Sequence, residues 1–372
     1  MSLEQKFLSI EDAAILSGCP GPSIERLVQL GLLPSGGLTL EDINAIRLLM
    51  SFEGAGIGLP AFAHAAREGV LSLAFTRDLL PDTILLSGQT FGGLCSDLGL
   101  DFGAAVRLFV ASGLPAPDPP RYARQDEVIL LQLMAETLKY GISEHALIGV
   151  LRVFGQATRR VAEAMRDRFR SEIEPRLENQ GLSPSEVLAA TSQYRNPLKN
   201  IAFQALRLLS ARFLEDMTFD NITMRIQNIL SVNGLLEPIG TADPTVAFVD
   251  LAGYSALTRE SGDHEAAQAA LQFEAAAHES AASFDGRIIK SLGDGLLILF
   301  LKPANALEGC IHLMKRRIAD RLPEIHAGLT VGPVIRRDGD IFGNSVNLAA
   351  RLASLAAPSE IVADARSIAM FN

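Results

Sequence analysis

Two kinds of hydrophobic pattern divide the chain. Up to about residue 236, apolar positions recur at three- and four-residue spacing, the period of one helix face. From Phe7 the sequence reads FLSIEDAAILSGCPGPSIERLVQLGLLP. Ser9 is the expected N-cap of a first short helix, with Asp12 as its capping partner. A turn around Gly18–Pro22 and a second helix ending near Gly31 follow. LTLEDINAIRLLMSFEGAGIGLPAFAHAA predicts two more helices, with Thr39 capping the first.

The order then recurs from Thr90, in TFGGLCSDLGLDFGAAVRLFVASGLPAPDPP and onward. Gly31-Leu32-Leu33-Pro34 is answered by Gly113-Leu114-Pro115, and Gly56-Ile57-Gly58 by Gly141-Ile142. Two tandem helical modules, 1–80 and 81–180, are therefore expected. From about Arg152 to Glu237 the pattern is almost wholly helical, broken at Gly181–Pro184, where Ser183 precedes a helix-opening proline. NPLKNIAFQALRLLSARFLEDM and MRIQNILSVNGLL continue it, so 181–240 reads as a helical linker or dimerisation segment.

Beyond about residue 241 strands and helices alternate. TVAFVDL is a strand, residues 256 to 284 are mostly helix, and GRIIKSLGDGLLILFL is a hairpin. NALEGCIHLMKRRIADRL is a helix, IHAGLTVGPVIRRDGDIFG a second hairpin, NSVNLAARLASLA a helix and EIVAD a strand. The fold class is α+β: an all-helical N-terminal region, then a C-terminal domain (241–372) with a largely antiparallel sheet and flanking helices.

Composition narrows the function classes. The net charge of −10 opposes a nucleic-acid binder, which needs a basic face. Residues 1–120 carry more acidic than basic groups, so the helix-turn-helix order there fits protein contact better than DNA contact. Cys19, Cys95 and Cys310 match no metal-ligand spacing and read as thiols of a reducing compartment. The polar, acidic start carries no signal-peptide pattern, and no apolar run is long enough for a membrane span. A soluble, cytoplasmic chain is expected.

The chemistry is concentrated in three motifs, VAFVDLAGYSAL, IIKSLGDGLLILF and GDIFGNSVNLAARLAS. The first two present a carboxylate at a strand end, Asp250 and Asp294, beside small glycine-containing turns. Paired carboxylates of this kind suit divalent cations carrying a polyphosphate. Gly253, Tyr254 and Ser255 open a helix straight after the strand, where backbone amides receive phosphate. Asn347 and Arg351 are four apart and share one helix face.

Together these motifs resemble the class III nucleotidyl cyclases, over roughly the last third of the chain. The resemblance implies that Asp250, Asp294 and the Leu251 carbonyl hold two Mg²⁺ or Mn²⁺ ions per site. It implies that Lys290 and Asp340 read the base, that Asn347 orients the ribose and that Arg351 stabilises charge on the α-phosphate. A lysine donating to a ring nitrogen and an aspartate accepting from an exocyclic amine favour ATP over GTP. Metal and base residues from different subunits imply a homodimer. The N-terminal helices resemble the MerR-type winged-helix fold, and the tandem order resembles mycobacterial-type cyclases with a helical regulatory domain. A proton sensed by His64, His145, His264, His278, His312 or His326, or a small lipid, is the regulator this implies.

The chain ends at Asn372, where family members continue with a helix and a strand pair carrying a basic residue near the triphosphate. A catalytically weak nucleotide sensor with a degenerate cyclase domain is therefore the alternative reading. A guanylate cyclase is disfavoured by Lys290 and Asp340, and a transcription regulator by its lone arginine in PSIERLVQLG.

Overall fold

The computed structural model describes residues 7–71, 86–236, 243–320 and 322–371. The expected boundaries at 80/81 and 240/241 lie outside the described residues. By packing, the chain divides into two compact units, Met1–Asp220 and Asn221–Asn372.

The first unit begins with α1 (Ile10–Ser17), α2 (Gly21–Gln29), α3 (Asp42–Gly54) and α4 (Leu59–Arg67). Ser9 caps α1 as expected: its hydroxyl accepts from the Asp12 amide at 3.0 Å, and the Asp12 carboxylate accepts from the Ser9 amide at 3.3 Å. Thr39 does not cap α3. Its amide and hydroxyl both donate to the Asp42 carboxylate, at 2.8 and 2.9 Å, while the helix opens at Glu41 with no side-chain cap. Ile24, Leu27, Ile43, Ile46, Leu49 and Leu59 fill the core of these helices.

A second core follows in β1 (Leu86–Thr90), α5 (Phe91–Leu98), α6 (Phe102–Ala111), β2 (Tyr122–Arg124), α7 (Gln125–Lys139) and α8 (Glu144–Arg168). Phe91 and Phe109 meet edge to face at 4.9 Å there, with Leu108 and Leu131 around them. The short antiparallel pair β1–β2 is absent from the sequence reading. Its residues, LSGQT and YAR, are too few and too polar to show a strand period.

The helix expected through QATRRVAEAMRDRFRSEIEPRLENQ is interrupted. α8 passes into a π-helical turn, Phe169–Ile173, before α9 (Glu174–Glu178). Pro175 offers no amide to the preceding turn and its ring crowds the carbonyl there, which widens the helix locally. Ser183 then caps α10 (Pro184–Val232) together with Glu186, whose carboxylate accepts from the Ser183 amide at 2.8 Å. α10 is one helix of 49 residues that continues through Pro197.

The second unit is built on a five-stranded sheet, ordered β4-β5-β3-β6-β9. Its strands are β3 (Thr245–Leu251), β4 (Gly286–Ser291), β5 (Gly295–Phe300), β6 (Ile325–Val331) and β9 (Ile361–Ala363). All pairs are antiparallel except β6–β9. α11 (Tyr254–Ser261) and α12 (Asp263–Ser283) follow β3, and α13 (Pro303–Asp320) follows β5.

Alternation along the strands serves two cores. Ala247, Val249 and Leu251 of β3 face Phe273, Ala277 and Leu313 of α12 and α13. Val246 and Phe248 face the other way, toward α14 (Asn344–Leu355) at Ala349. Both faces are covered, which is why TVAFVDL and GLLILF read as nearly continuous apolar runs.

The second hairpin differs from expectation. β6 belongs wholly to the main sheet, and the hairpin is β7 (Ile335–Arg337) with β8 (Asp340–Phe342). Gly332-Pro333 ends β6, because proline cannot donate to a ladder. Asp338 and Gly339, with φ of 53° and 81°, make the tight turn between β7 and β8. The last short helix is α15 (Ala365–Ile368). Cys95 and Cys310 are buried free thiols, and burial pushes the Cys310 thiol up to about 12. Among the described residues, no helix is long and apolar enough to cross a membrane.

Candidate active site

The end of β3 is the centre of the site. Asp250 pairs with Gly295 on one side and with His326 on the other. A Cβ at position 295 would lie 3.1 Å from Asp250 Oδ1, so the glycine admits the carboxylate close to the neighbouring strand. The Leu251 amide donates to the Asp294 carbonyl at 3.0 Å, and the Leu292 amide to the Gly295 carbonyl at 2.7 Å. These bonds tie the β4–β5 turn, with Gly293 at φ 94°, to the strand end and bring Asp294 beside Asp250.

Electrostatics register that closeness. Burial, followed by the Asp294 charge, raises the Asp250 carboxyl above the ordinary carboxylate range, against opposing effects of His326 and the Leu251 amide. His326 Nε2 stands 3.8 Å from Asp250 Oδ2, and its Nδ1 is buried without a hydrogen-bond partner. His326 was not singled out as a site residue from the sequence. Only the β3–β6 register places it there, and no local motif carries that register.

Gly253, in the left-handed region at φ 74°, turns the chain from β3 into α11. No side chain caps α11, and the Ala256 and Leu257 amides close back on the Gly253 carbonyl. Tyr254 and Ser255 thus form the first turn of a helix that starts just past the two carboxylates, as the sequence predicts.

Lys290 and Asp340 form a second cluster. Lys290 Nζ donates to Asp340 Oδ2 at 2.7 Å, while Asp340 Oδ1 accepts from the Ile341 amide at 2.8 Å. A register irregularity in β4 between Ile288 and Lys290 re-aims the lysine toward the β7–β8 hairpin. Both side chains are about a third exposed.

Asn347 and Arg351 lie one turn apart on the exposed side of α14. Neither side chain has a hydrogen-bond or ion-pair partner among the described residues, unlike Lys290 and Asp340. Their helix is laid on β6 by Gly328, where any Cβ would fall on the Ala349 carbonyl and the Ala353 amide. The structure thus joins Asp250 to Asp294 and Lys290 to Asp340, and leaves Asn347 and Arg351 displayed. Among the described residues, no three His, Cys, Asp or Glu side chains gather as a metal cage. A two-carboxylate set is what the unit offers.

No family model matches the chain. It is 27% identical over 324 residues to an adenylate cyclase of Glutamicibacter nicotianae, across 81% of this chain and 78% of that one. It is 28% identical over 332 residues to an uncharacterized protein of Mycobacterium tuberculosis, across 86% of this chain and 81% of that one. Among solved structures, the adenylyl cyclase CyaB from P. aeruginosa overlays 35% of this chain and 80% of its own, at 22% identity and a TM-score of 0.32. The similarity to relatives named adenylate cyclase, over most of both chains, supports cyclase function.

Proposed function

We propose that the chain is an adenylate cyclase that converts ATP to 3′,5′-cyclic AMP and pyrophosphate. The observation that carries this reading is the pairing of two strand-end carboxylates, Asp250 and Asp294, in the same unit as the Lys290–Asp340 donor–acceptor pair.

The residues present fit divalent cations. Burial and the Asp294 charge raise the cost of ionising Asp250, and a cation removes that conflict. Carboxylates, a carbonyl and phosphate oxygens are the ligands that Mg²⁺ or Mn²⁺ prefer. Asp250, Asp294 and the Leu251 carbonyl would hold two such ions, which would supply positive charge to the attacking hydroxyl and the leaving pyrophosphate.

In the reaction the ribose 3′-oxygen forms a bond to the α-phosphorus, and the bond from that phosphorus to the bridging oxygen of pyrophosphate breaks. Lys290 donates to the adenine ring nitrogen while Asp340 accepts from the 6-amino group. The two side chains already face each other at 2.7 Å, so the base enters by separating an existing ion pair. Guanine presents a carbonyl where adenine has the amine, and leaves the Asp340 carboxylate without a donor. Asn347 orients the ribose, and Arg351 balances charge building on the α-phosphate oxygens. The first-turn amides at Gly253, Tyr254 and Ser255 receive the outer phosphates.

Asn347 and Arg351 have no partner among the described residues of their own chain, which supports their use by a second copy. The active form is a homodimer with sites at the interface, regulated by the N-terminal helices. The test is cyclic AMP formation from ATP with Mn²⁺ or Mg²⁺, comparing the native chain with Asp294→Asn. Product from the native chain that vanishes in the variant supports the reading; ATP binding without turnover in either overturns it.

A further inference from the structure

Once a base has drawn Lys290 and Asp340 apart, the two side chains are not left alike. Asp340 keeps a second bond, since its Oδ1 accepts from the Ile341 amide at 2.8 Å. Lys290 has no second polar partner among the described residues. What remains beside its Nζ is the face of Phe342, with the ring centroid 6.0 Å away. That is a cation over the negative side of an aromatic quadrupole.

The backbone explains why lysine and ring meet. β8 alternates, so Asp340 and Phe342 share one side and Ile341 takes the other. Ile341 is 2% exposed and packs with Leu297 and Ala349, which anchors the strand. Phe342 is 49% exposed and belongs to neither core of its unit. β4 is an edge strand of its sheet, and its irregularity before Lys290 sends that side chain toward the hairpin. A lysine head on a flexible four-carbon stem returns to water unless something holds it.

We propose that Phe342 is a positioning residue for base recognition: its ring face holds the Lys290 ammonium where an adenine ring nitrogen accepts from it, after Asp340 has turned to the amine. The proposal rests on the reading of Lys290 and Asp340 as the base-reading pair. It accounts for discrimination as well as affinity. Guanine carries a hydrogen on the corresponding ring nitrogen and an accepting carbonyl beside it. A lysine held by the ring is committed to the adenine nitrogen, whereas a released one can swing to the guanine carbonyl. Loss of the ring should therefore weaken adenine binding more than guanine binding.

The experiment is equilibrium binding of 3′-deoxy-ATP and 3′-deoxy-GTP to the full chain with Mn²⁺, read by titration calorimetry. Neither nucleotide can cyclise, so the result does not depend on turnover. Phe342→Leu keeps apolar bulk and loses the quadrupole. It should lower the preference for adenine over guanine about three- to thirtyfold, the range a cation–π contact spans between exposed and desolvated settings. Phe342→Tyr and Phe342→Trp should restore it. In a Lys290→Met background Phe342→Leu should cost no further preference, because the ring acts through the lysine. Melting curves on each variant separate lost folding from lost recognition. An unchanged preference in Phe342→Leu, or losses that add in the double variant, overturns the proposal and leaves the base reading standing. An unchanged preference in Lys290→Met overturns the base reading and the proposal with it. The expected Phe342 pattern without any cyclic AMP from ATP would defeat the cyclase reading and still support this one.

Discussion

His326 stands directly across the β3–β6 ladder from Asp250, its Nε2 3.8 Å from the carboxylate. The imidazole partly offsets what burial and Asp294 impose on Asp250. The net shift of Asp250 is upward, which fixes a sign. Between the ordinary carboxylate value and the raised folded value, the native state binds more protons than the unfolded chain. Stability therefore falls as pH rises through that window and stays lower above it. Asp250→Asn should raise the Tm of chelator-treated protein at pH 7 and flatten its dependence on pH from 4 to 7. A lower Tm for the variant at pH 7 would show that Asp250 is stabilised as a carboxylate by something else.

The same two carboxylates should behave oppositely toward activity. Asp250→Asn and Asp294→Asn keep shape and lose charge, so both should fold and both should lose cyclase turnover. Removing one preorganised electrostatic group typically lowers kcat by about 10²–10³-fold. The raised Tm of the chelator-treated Asp250→Asn variant should also fail to climb further on adding Mn²⁺, whereas the native chain should be stabilised by it. Equal Mn²⁺ stabilisation of native and variant proteins would show that Asp250 does not bind the cation.

Much of this site could be read locally. Asp250, Asp294 and the Gly253 turn follow from strand-end motifs a few residues long, and the strands and α11 begin where those motifs require. The Ser9 and Ser183 caps were equally legible, since a capping box is a four-residue pattern. What escaped depends on non-local pairing or on a small energetic margin. His326 is placed by register with a strand more than seventy residues earlier. The split of the second hairpin from β6 turns on Gly332-Pro333, which looks locally like an ordinary hairpin loop. The continuity of α10 through Pro197 runs against local propensity, which places a helix boundary before proline.

The Lys290–Asp340 pair yields a prediction that separates binding from folding. The pair is about a third exposed, and exposed pairs contribute roughly 0–1 kcal/mol, so Lys290→Met should change Tm little. Catalysis should respond more. A donor to the base is lost and the Asp340 carboxylate is left without its partner, so kcat/KM for ATP should fall about 10- to 100-fold, by analogy with a lost charged hydrogen bond of ~1.5–3 kcal/mol. Asp340→Asn keeps the size, replaces an acceptor by a group that also donates, and should narrow the preference for ATP over GTP. Steady-state rates with both nucleotides decide it: an unchanged ratio in both variants would mean that the base is read elsewhere.

Gly328 controls how α14 lies on the sheet. Its missing side chain lets the Ala349 carbonyl and the Ala353 amide rest on β6, and those atoms are backbone that cannot rotate away. Gly328→Ala therefore has to lift the helix, at a cost of about 1–3 kcal/mol for overpacking. Gly332→Ala meets only the Ser345 hydroxyl, which can swing aside at the loss of its bond to the Pro333 carbonyl, so its effect should be smaller. Gly36→Ala meets open space and should change stability by less than ~0.5 kcal/mol. Lifting α14 also displaces Asn347 and Arg351, neither of which touches position 328. If they act on ribose and α-phosphate, Gly328→Ala should lower kcat well beyond its effect on KM while the protein remains folded at the assay temperature. Melting curves and steady-state rates on the three variants test the chain of inference. A Gly328→Ala protein with lowered Tm and native kcat would detach α14's position from the chemistry.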